Sequence, residues 1–171
     1  MIHTLNNDTI AAVSTALTNS GIGIVRISGD RAVETADRSF RKTNAADGRP
    51  IPGGHIYDEN ELIDEVLVML MRGPKSYTAE DTVEIDCHGG VLVVKKVLET
   101  VIKNGARPAE PGEFTKRAFL NGKLSLTQAE GVMETISAQG EYALNSANLT
   151  KEGRLFRLIS DMSRKFVTIL G

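Results

Sequence analysis

The sequence has one cysteine, no tryptophan and only three histidines in 171 residues, and each scarcity removes a class of chemistry. A lone Cys87 can form no internal disulfide and no cysteine-based zinc cluster, which suits a reducing compartment. His3, His55 and His88 are scattered without metal-ligand spacing, and no Ser-His-Asp or Cys-His arrangement can be read from their positions. No apolar run approaches membrane-spanning length, and the opening MIHTLNNDTI has neither the basic start nor the apolar core of a signal peptide. A soluble cytoplasmic protein is therefore expected. Charge of one sign is missing too: Lys+Arg number 20 against Asp+Glu 22, for a net charge of −2. That balance excludes a chain-wide electrostatic grip on nucleic acid, so any contact with RNA needs a local patch or other parts. A phosphate-cradling G-x-x-x-x-G-K-[ST] loop is absent, because Gly122-Lys123 is followed by Leu124, and the stretch Gly21 to Arg26 lacks the third glycine of a dinucleotide fingerprint. Binding of GTP by these residues is not expected.

What is present reads as one α/β domain followed by helices. Thr9 to Val13 and Ile22 to Ile27 carry β-branched residues in alternation, separated by the turn-forming Thr18-Asn19-Ser20-Gly21, and predict a hairpin. Ala32, Val33, Ala36 and Phe40 fall at helical spacing and predict a helix over Arg31 to Lys42, with a loop from Asp47 to Gly54 after it. Strands are predicted at His55 to Asp58, at Leu62 to Met71 and at Thr82 to Cys87. The second of these, apolar on both faces, reads as a central strand; the third places Val83, Ile85 and Cys87 inward and Glu84 and Asp86 outward. His88-Gly89-Gly90 turns into a helix from Val91 to Lys103, closed by Asn104-Gly105, and Ala106 to Ala109 is extended. The pattern predicts an α/β (α+β) fold with a mixed or antiparallel sheet and helices on it.

The stretch PGEFTKRAFLNGKLSLTQAEG, Pro111 to Gly131, joins the two kinds of structure. Pro111-Gly112 opens a short helix with Phe114, Ala118 and Phe119 on its apolar side, Gly122 ends it, and Ser125 with Gln128 forms a capping box that starts the next. Lys123 is thereby held on a short connector, a good place to meet an anion; by composition alone, Lys116, Arg117 and Lys123 also read as ordinary solvated charges. Further on, Ala129, Val132, Met133, Ile136, Gly140, Ala143, Leu144 and Ala147 form one helical stripe, and Leu155, Ile159, Met162, Phe166 and Ile169 another, with Gly153 between. The last stripe keeps its apolar face to the end of the chain, which leads to the expectation that further sequence packs on it.

Arg26 and Glu84 are charged residues inside strands. Each can simply occupy the solvent face, or the two can gather with Lys123 around a polar small molecule with a flat, amide-like ring and carboxylates. A carboxylate accepts two hydrogen bonds from an aminopyrimidine edge, and Arg and Lys complement carboxylate or carbonyl oxygens.

Three blocks, DTIAAVST with GIGIVRISG (Asp8 to Gly29), SYTAEDTVEIDCHGG (Ser76 to Gly90) and PGEFTKRAFLNGKLSLTQAEG, resemble in order the signature segments of the MnmE (TrmE) family of tRNA-modification GTPases. The resemblance implies an N-terminal folate-binding and dimerisation domain over 1–122, similar in fold to the glycine-cleavage aminomethyltransferase, and the start of a helical domain over 123–171. It implies 5-formyltetrahydrofolate or a related tetrahydrofolate as ligand, contacted by residues matching Arg26, Glu84 and Lys123. Gly89 and Gly90 fit a close backbone approach at a helix N-terminus, or simply permit the turn. It further implies homodimerisation, with the folate near the interface, and a GTPase domain elsewhere that holds GTP, Mg and K. The whole protein is expected to act with the flavoprotein MnmG (GidA) on C5 of the wobble uridine of tRNA, the folate supplying a one-carbon unit. No catalytic residue and no metal ligand is expected among these residues. The sequence departs from the family pattern at Thr15-Ala16-Leu17-Thr18-Asn19-Ser20, where proline and a richer run of glycine and arginine are usual. Two alternatives stand beside this reading: a stand-alone folate-dependent aminomethyl or one-carbon transferase, and a dimerisation adaptor that binds no folate.

Overall fold

The computed structural model describes residues 8–42 and 53–170, and the chain divides into two compact units, Met1–Phe114 and Thr115–Gly171. In the first unit, β1 (Ile10–Val13) and β2 (Ile22–Ser28) form the expected antiparallel hairpin, with Ala12 opposite Arg26. The next segment differs from expectation. The helix α1 covers only Ala32–Asp37, and Phe40–Lys42 is a strand, β3, paired with β4 (Gly53–Asp58). Phe40 sits at helical spacing from Ala36, but its ring packs so closely on Gly54 that a Cβ there would lie 2.5 Å from it. A non-local ladder thus overrides a local period. His3 and most of the expected 47–54 loop lie outside the described residues; Gly53 and Gly54 begin β4.

A turn at Glu59 leads into β5 (Glu61–Met71), then β6 (Thr82–His88), α2 (Val91–Lys103) and the short β7 (Arg107–Pro108). The seven strands form one mixed sheet in the order β3-β4-β5-β6-β2-β1-β7, antiparallel except where β7 runs parallel to β1. One face is covered: Val25, Ile27, Val66, Val68, Val83 and Ile85 pack with Ala32 and Ala36 of α1 and with Val94, Val97 and Val101 of α2. β5 lies inside the sheet, as expected of a central strand, but its other face is open. Leu67 and Met69 remain 41% and 38% exposed. Both helices packed on the sheet lie on the Val66 and Val68 side, so an apolar strand interior to the sheet still keeps one open face.

The short helix α3 (Glu113–Leu120) follows, and its first residue belongs to an ion network in which Arg107 bridges Asp8 at 2.5 Å and Glu113 at 2.5 Å. In the second unit Gly122 adopts φ of 72° past the end of α3, as its role of helix terminator requires. The capping box at Ser125 is formed: its hydroxyl accepts from the Gln128 N–H at 3.3 Å, and Gln128 Oε1 accepts from the Ser125 N–H at 2.9 Å. The predicted single stripe over 129–147 is in fact two helices, α4 (Leu126–Ser137) and α5 (Glu141–Lys151), parted by extended backbone at Ala138 and Gly140. They meet where Gly131 lies against the backbone of Lys151, close enough that a Cβ on Gly131 would be 2.9 Å from the Lys151 nitrogen. Gly153, at φ of 67°, separates α5 from α6 (Arg154–Leu170), whose Ile159, Met162 and Phe166 are exposed.

Candidate functional site

On the sheet face turned away from the helices, β2 and β6 place Arg26 directly opposite Glu84. The two side chains close on one another: Nε donates to Glu84 Oε1 at 2.7 Å, and Nη2 lies 2.7 Å from the same oxygen. Both arginine donors therefore converge on Oε1, and Glu84 Oε2 makes no hydrogen bond among the described residues. The pair is mostly but not wholly withdrawn from water, with 26% of the Arg26 side chain and 16% of Glu84 exposed. Strand alternation alone fixes this face, because Val25, Ile27, Val83 and Ile85 must point into the core.

Two aromatic rings flank the guanidinium. Its carbon lies 5.4 Å from the ring centre of Tyr77 and 5.6 Å from that of Phe114, both within reach of a cation–π attraction. Tyr77 is carried by the loop before β6, which a buried hydroxyl network ties down: Ser28 Oγ lies 2.7 Å from Thr78 Oγ1 and donates to Glu80 Oε2 at 2.9 Å. Neither ring was among the residues singled out as a site from sequence. Their rarity is the signal that could have found them, since the chain has only three tyrosines and five phenylalanines.

Gly89 and Gly90 lie where β6 passes into α2, Gly90 as its N-cap. The chain's own hairpin loop fills the space beside Gly89: a Cβ there would come within 2.2 Å of Ser20 Oγ and 2.5 Å of Ser20 O, and the Ser20 N–H donates to Gly89 O at 3.2 Å. Around Gly90 the nearest contact for a Cβ would be an ordinary 3.7 Å. The unusual loop 15–20 is thus anchored at this corner, with Thr15 Oγ1 accepting from the Ile24 N–H at 3.2 Å at its other end. Lys123 belongs to the second unit, in the turn between α3 and α4, where its N–H donates to Ala118 O at 2.9 Å.

Cys87 points into the core, its thiol 3.3 Å from Gly23 O, and burial pushes its pKa up to about 11. Such a thiol is a core residue rather than a nucleophile. His88 Nδ1 lies 2.7 Å from Asp64 Oδ1, and that hydrogen bond and charge raise the imidazole above its ordinary range. Among the described residues no group of three or more His, Cys, Asp or Glu could hold a metal ion, and no helix is long and apolar enough to cross a membrane.

A family model described as the GTP-binding protein TrmE N-terminus matches residues 9–123, well over half of the chain and the whole of β1 to α3. The chain belongs to the TrmE N-terminal family. Its curated TrmE relatives include the tRNA modification GTPases MnmE of Lachnoclostridium phytofermentans, 50% identical over 169 residues and 95% of this chain, and of Lysinibacillus sphaericus, 49% identical over 171 residues and 96% of it. A third, from Geobacillus thermodenitrificans, is likewise 49% identical over 171 residues. The chain spans 37% of the length of each of these relatives. All the residues singled out as a TrmE site, Arg26, Glu84, Gly89, Gly90 and Lys123, fall inside the matched segment.

Proposed function

We propose that this TrmE-family chain is a tetrahydrofolate-binding and homodimerisation module of a tRNA-modification GTPase, working in the cytoplasm. The observation that carries the reading is the Arg26–Glu84 pair, set on an open sheet face between two aromatic rings with Glu84 Oε2 unengaged. A pterin presents what that arrangement lacks: a flat ring to lie against aromatic side chains and an amino-amide edge whose N–H groups suit a carboxylate oxygen. Arg26 and Lys123 are proposed to complement carbonyl or carboxylate oxygens of 5-formyltetrahydrofolate or a related form, and Gly90 to allow a close backbone approach, while Gly89 makes room for Ser20 of the hairpin loop. Met69, exposed on the same sheet face beside Glu84, supports pairing with a second copy there.

The relatives are tRNA modification GTPases, and the remaining roles are proposed by extension from them. GTP with Mg and K would be handled by a domain outside this chain, with the flavoprotein MnmG as partner and the wobble uridine of tRNA as the site of modification. The folate's chemistry would be delivery of a one-carbon unit.

Isothermal titration of 5-formyltetrahydrofolate into the 171-residue chain tests the module directly. Saturable binding is expected, and Arg26→Ala or Glu84→Ala should weaken it by about 1.5–3 kcal/mol, roughly ten- to hundredfold, the scale of a charged hydrogen bond. Lys123→Ala should weaken it less. No heat at high micromolar folate would leave only the adaptor reading, and turnover with folate and an amine acceptor would favour the transferase.

A further inference from the structure

Two residues along β6 from Glu84, Asp86 carries a buried carboxylate oxygen that nothing among the described residues answers. It makes no hydrogen bond or ion pair among the described residues, and its Oδ1 is fully buried without a partner. The ladder explains why. Asp86 stands opposite Ile24 on β2 and Leu67 on β5, so both lateral neighbours on its face are apolar. Along its own strand it has Glu84, already engaged by Arg26, and His88, already engaged by Asp64. Native structures rarely leave a buried acceptor unmatched, and such a group calls for a donor from outside the chain.

The space for one adjoins it. An open depression of about 290 Å³ is lined by Gly21, Ile22, Glu65, Leu67, Asp86 and His88, together with Val66 and Cys87. Its walls are apolar at Ile22 and Leu67, and its charged residues, apart from His88, are acids. A metal ion is a poor occupant, because no group of three ligating side chains gathers among the described residues. An anion would meet Glu65 and Asp86. A carboxylate bordered by aliphatic surface instead matches a flat cation with several N–H donors and an apolar flank.

We propose that the depression beside Asp86 is a binding site for a small organic cation of the amidinium or guanidinium class, its N–H groups bonding the Asp86 carboxylate and its apolar part lying on Ile22 and Leu67. The inference depends on neither the folate nor the dimer reading. The carboxyl torsion of aspartate is broad and two-fold, so a modest rotation presents either oxygen to the ligand. Burial and the nearby Glu84 charge push the Asp86 carboxyl upward, so binding should weaken as pH falls through its raised titration. The charged or ionisable groups nearest it are Glu84 and His88 on β6, Glu65 on β5 and, one face position beyond Ile24 on β2, Arg26, whose guanidinium is held by Glu84.

Benzamidine, a flat aromatic amidinium, is the probe. Titrated into the 171-residue chain at pH 8 and followed by amide chemical shifts, it should move Gly21, Ile22, Leu67 and His88 saturably. Asp86→Asn, close in shape, should weaken that binding by about tenfold or more, the loss of a charge-assisted hydrogen bond. Leu67→Trp, at an exposed position, should block it by filling the depression while leaving Asp86 in place. Either variant is read only after its amide spectrum shows the native fold. Folate affinity should be unchanged in Asp86→Asn, which separates this site from the Arg26–Glu84 pair. Shifts that do not saturate in the unsubstituted chain, or equal benzamidine affinity with and without the Asp86 carboxylate, overturn the proposal.

Discussion

Removing Arg26 does more than delete a charge. In Arg26→Ala, Glu84 loses both donors that reach Oε1 at 2.7 Å and is left 16% exposed two residues from Asp86, a like charge with no partner of its own. The loss of a charged hydrogen bond costs about 1.5–3 kcal/mol. Withdrawal of the guanidinium from Tyr77 and Phe114 adds about 0.5–1 kcal/mol per ring. Because a quarter of the arginine side chain meets water, screening brings the sum down to the low end of its range, about 2–3 kcal/mol. Glu84→Ala leaves Arg26 stacked on its rings and better hydrated, and should cost about 1–2 kcal/mol. The double variant should then cost about 2–3 kcal/mol rather than the sum, a coupling of about 1–2 kcal/mol. Urea unfolding of the four proteins measures this. With a slope of about 2 kcal/mol/M, Arg26→Ala should lower the midpoint by roughly 1–1.5 M. Additive single effects, within about 0.5 kcal/mol, would show that the two side chains do not depend on each other and refute the reasoning.

Other expectations follow from single contacts. Gly131→Ala places a methyl 2.9 Å from the Lys151 nitrogen, so the gain in helix propensity is outweighed and urea stability should fall by about 1 kcal/mol net. Cys87, with its pKa at about 11, should react with Ellman's reagent at pH 8 about two-hundredfold more slowly in the folded chain than in guanidinium, from thiolate fractions alone. His88 should titrate above about 6.5 by imidazole NMR and return toward it in Asp64→Asn. Its favourable pairing is fully present below the unfolded value and is lost as pH rises through the folded one; a titration unchanged by Asp64→Asn would contradict that origin.

What could be read from the sequence was local. The hairpin of β1 and β2, the capping box at Ser125 and the terminator at Gly122 each depend on residues within a few positions of one another. They were visible because nothing distant competes with them. The helix expected over Arg31 to Lys42 failed at Phe40 because β4, beyond a long connection, supplies a strand partner. The long stripe over 129–147 failed for a related reason, since period alone does not reveal that Gly131 receives a second helix folding back. For the site, alternation put Arg26 and Glu84 on outward faces, but their meeting requires the register of two strands 58 residues apart. The family resemblance bridged that gap. Tyr77 and Phe114 stayed hidden because one sits in a loop and the other at a helix start, where no period marks orientation. Asp86 was placed outward correctly, while its lack of a partner became visible only with Ile24 and Leu67 beside it.

The central claim is that the Arg26–Glu84 pair receives a pterin. The Arg26 Nε–H resonance reports on it without a substitution, because that proton is held on Glu84 Oε1. Titrated with 5-formyltetrahydrofolate, this signal should shift saturably, in step with the Glu84 amide and the ring protons of Tyr77 and Phe114. A signal that stays in place at millimolar folate, while the chain is folded and its other resonances are unmoved, would contradict the account.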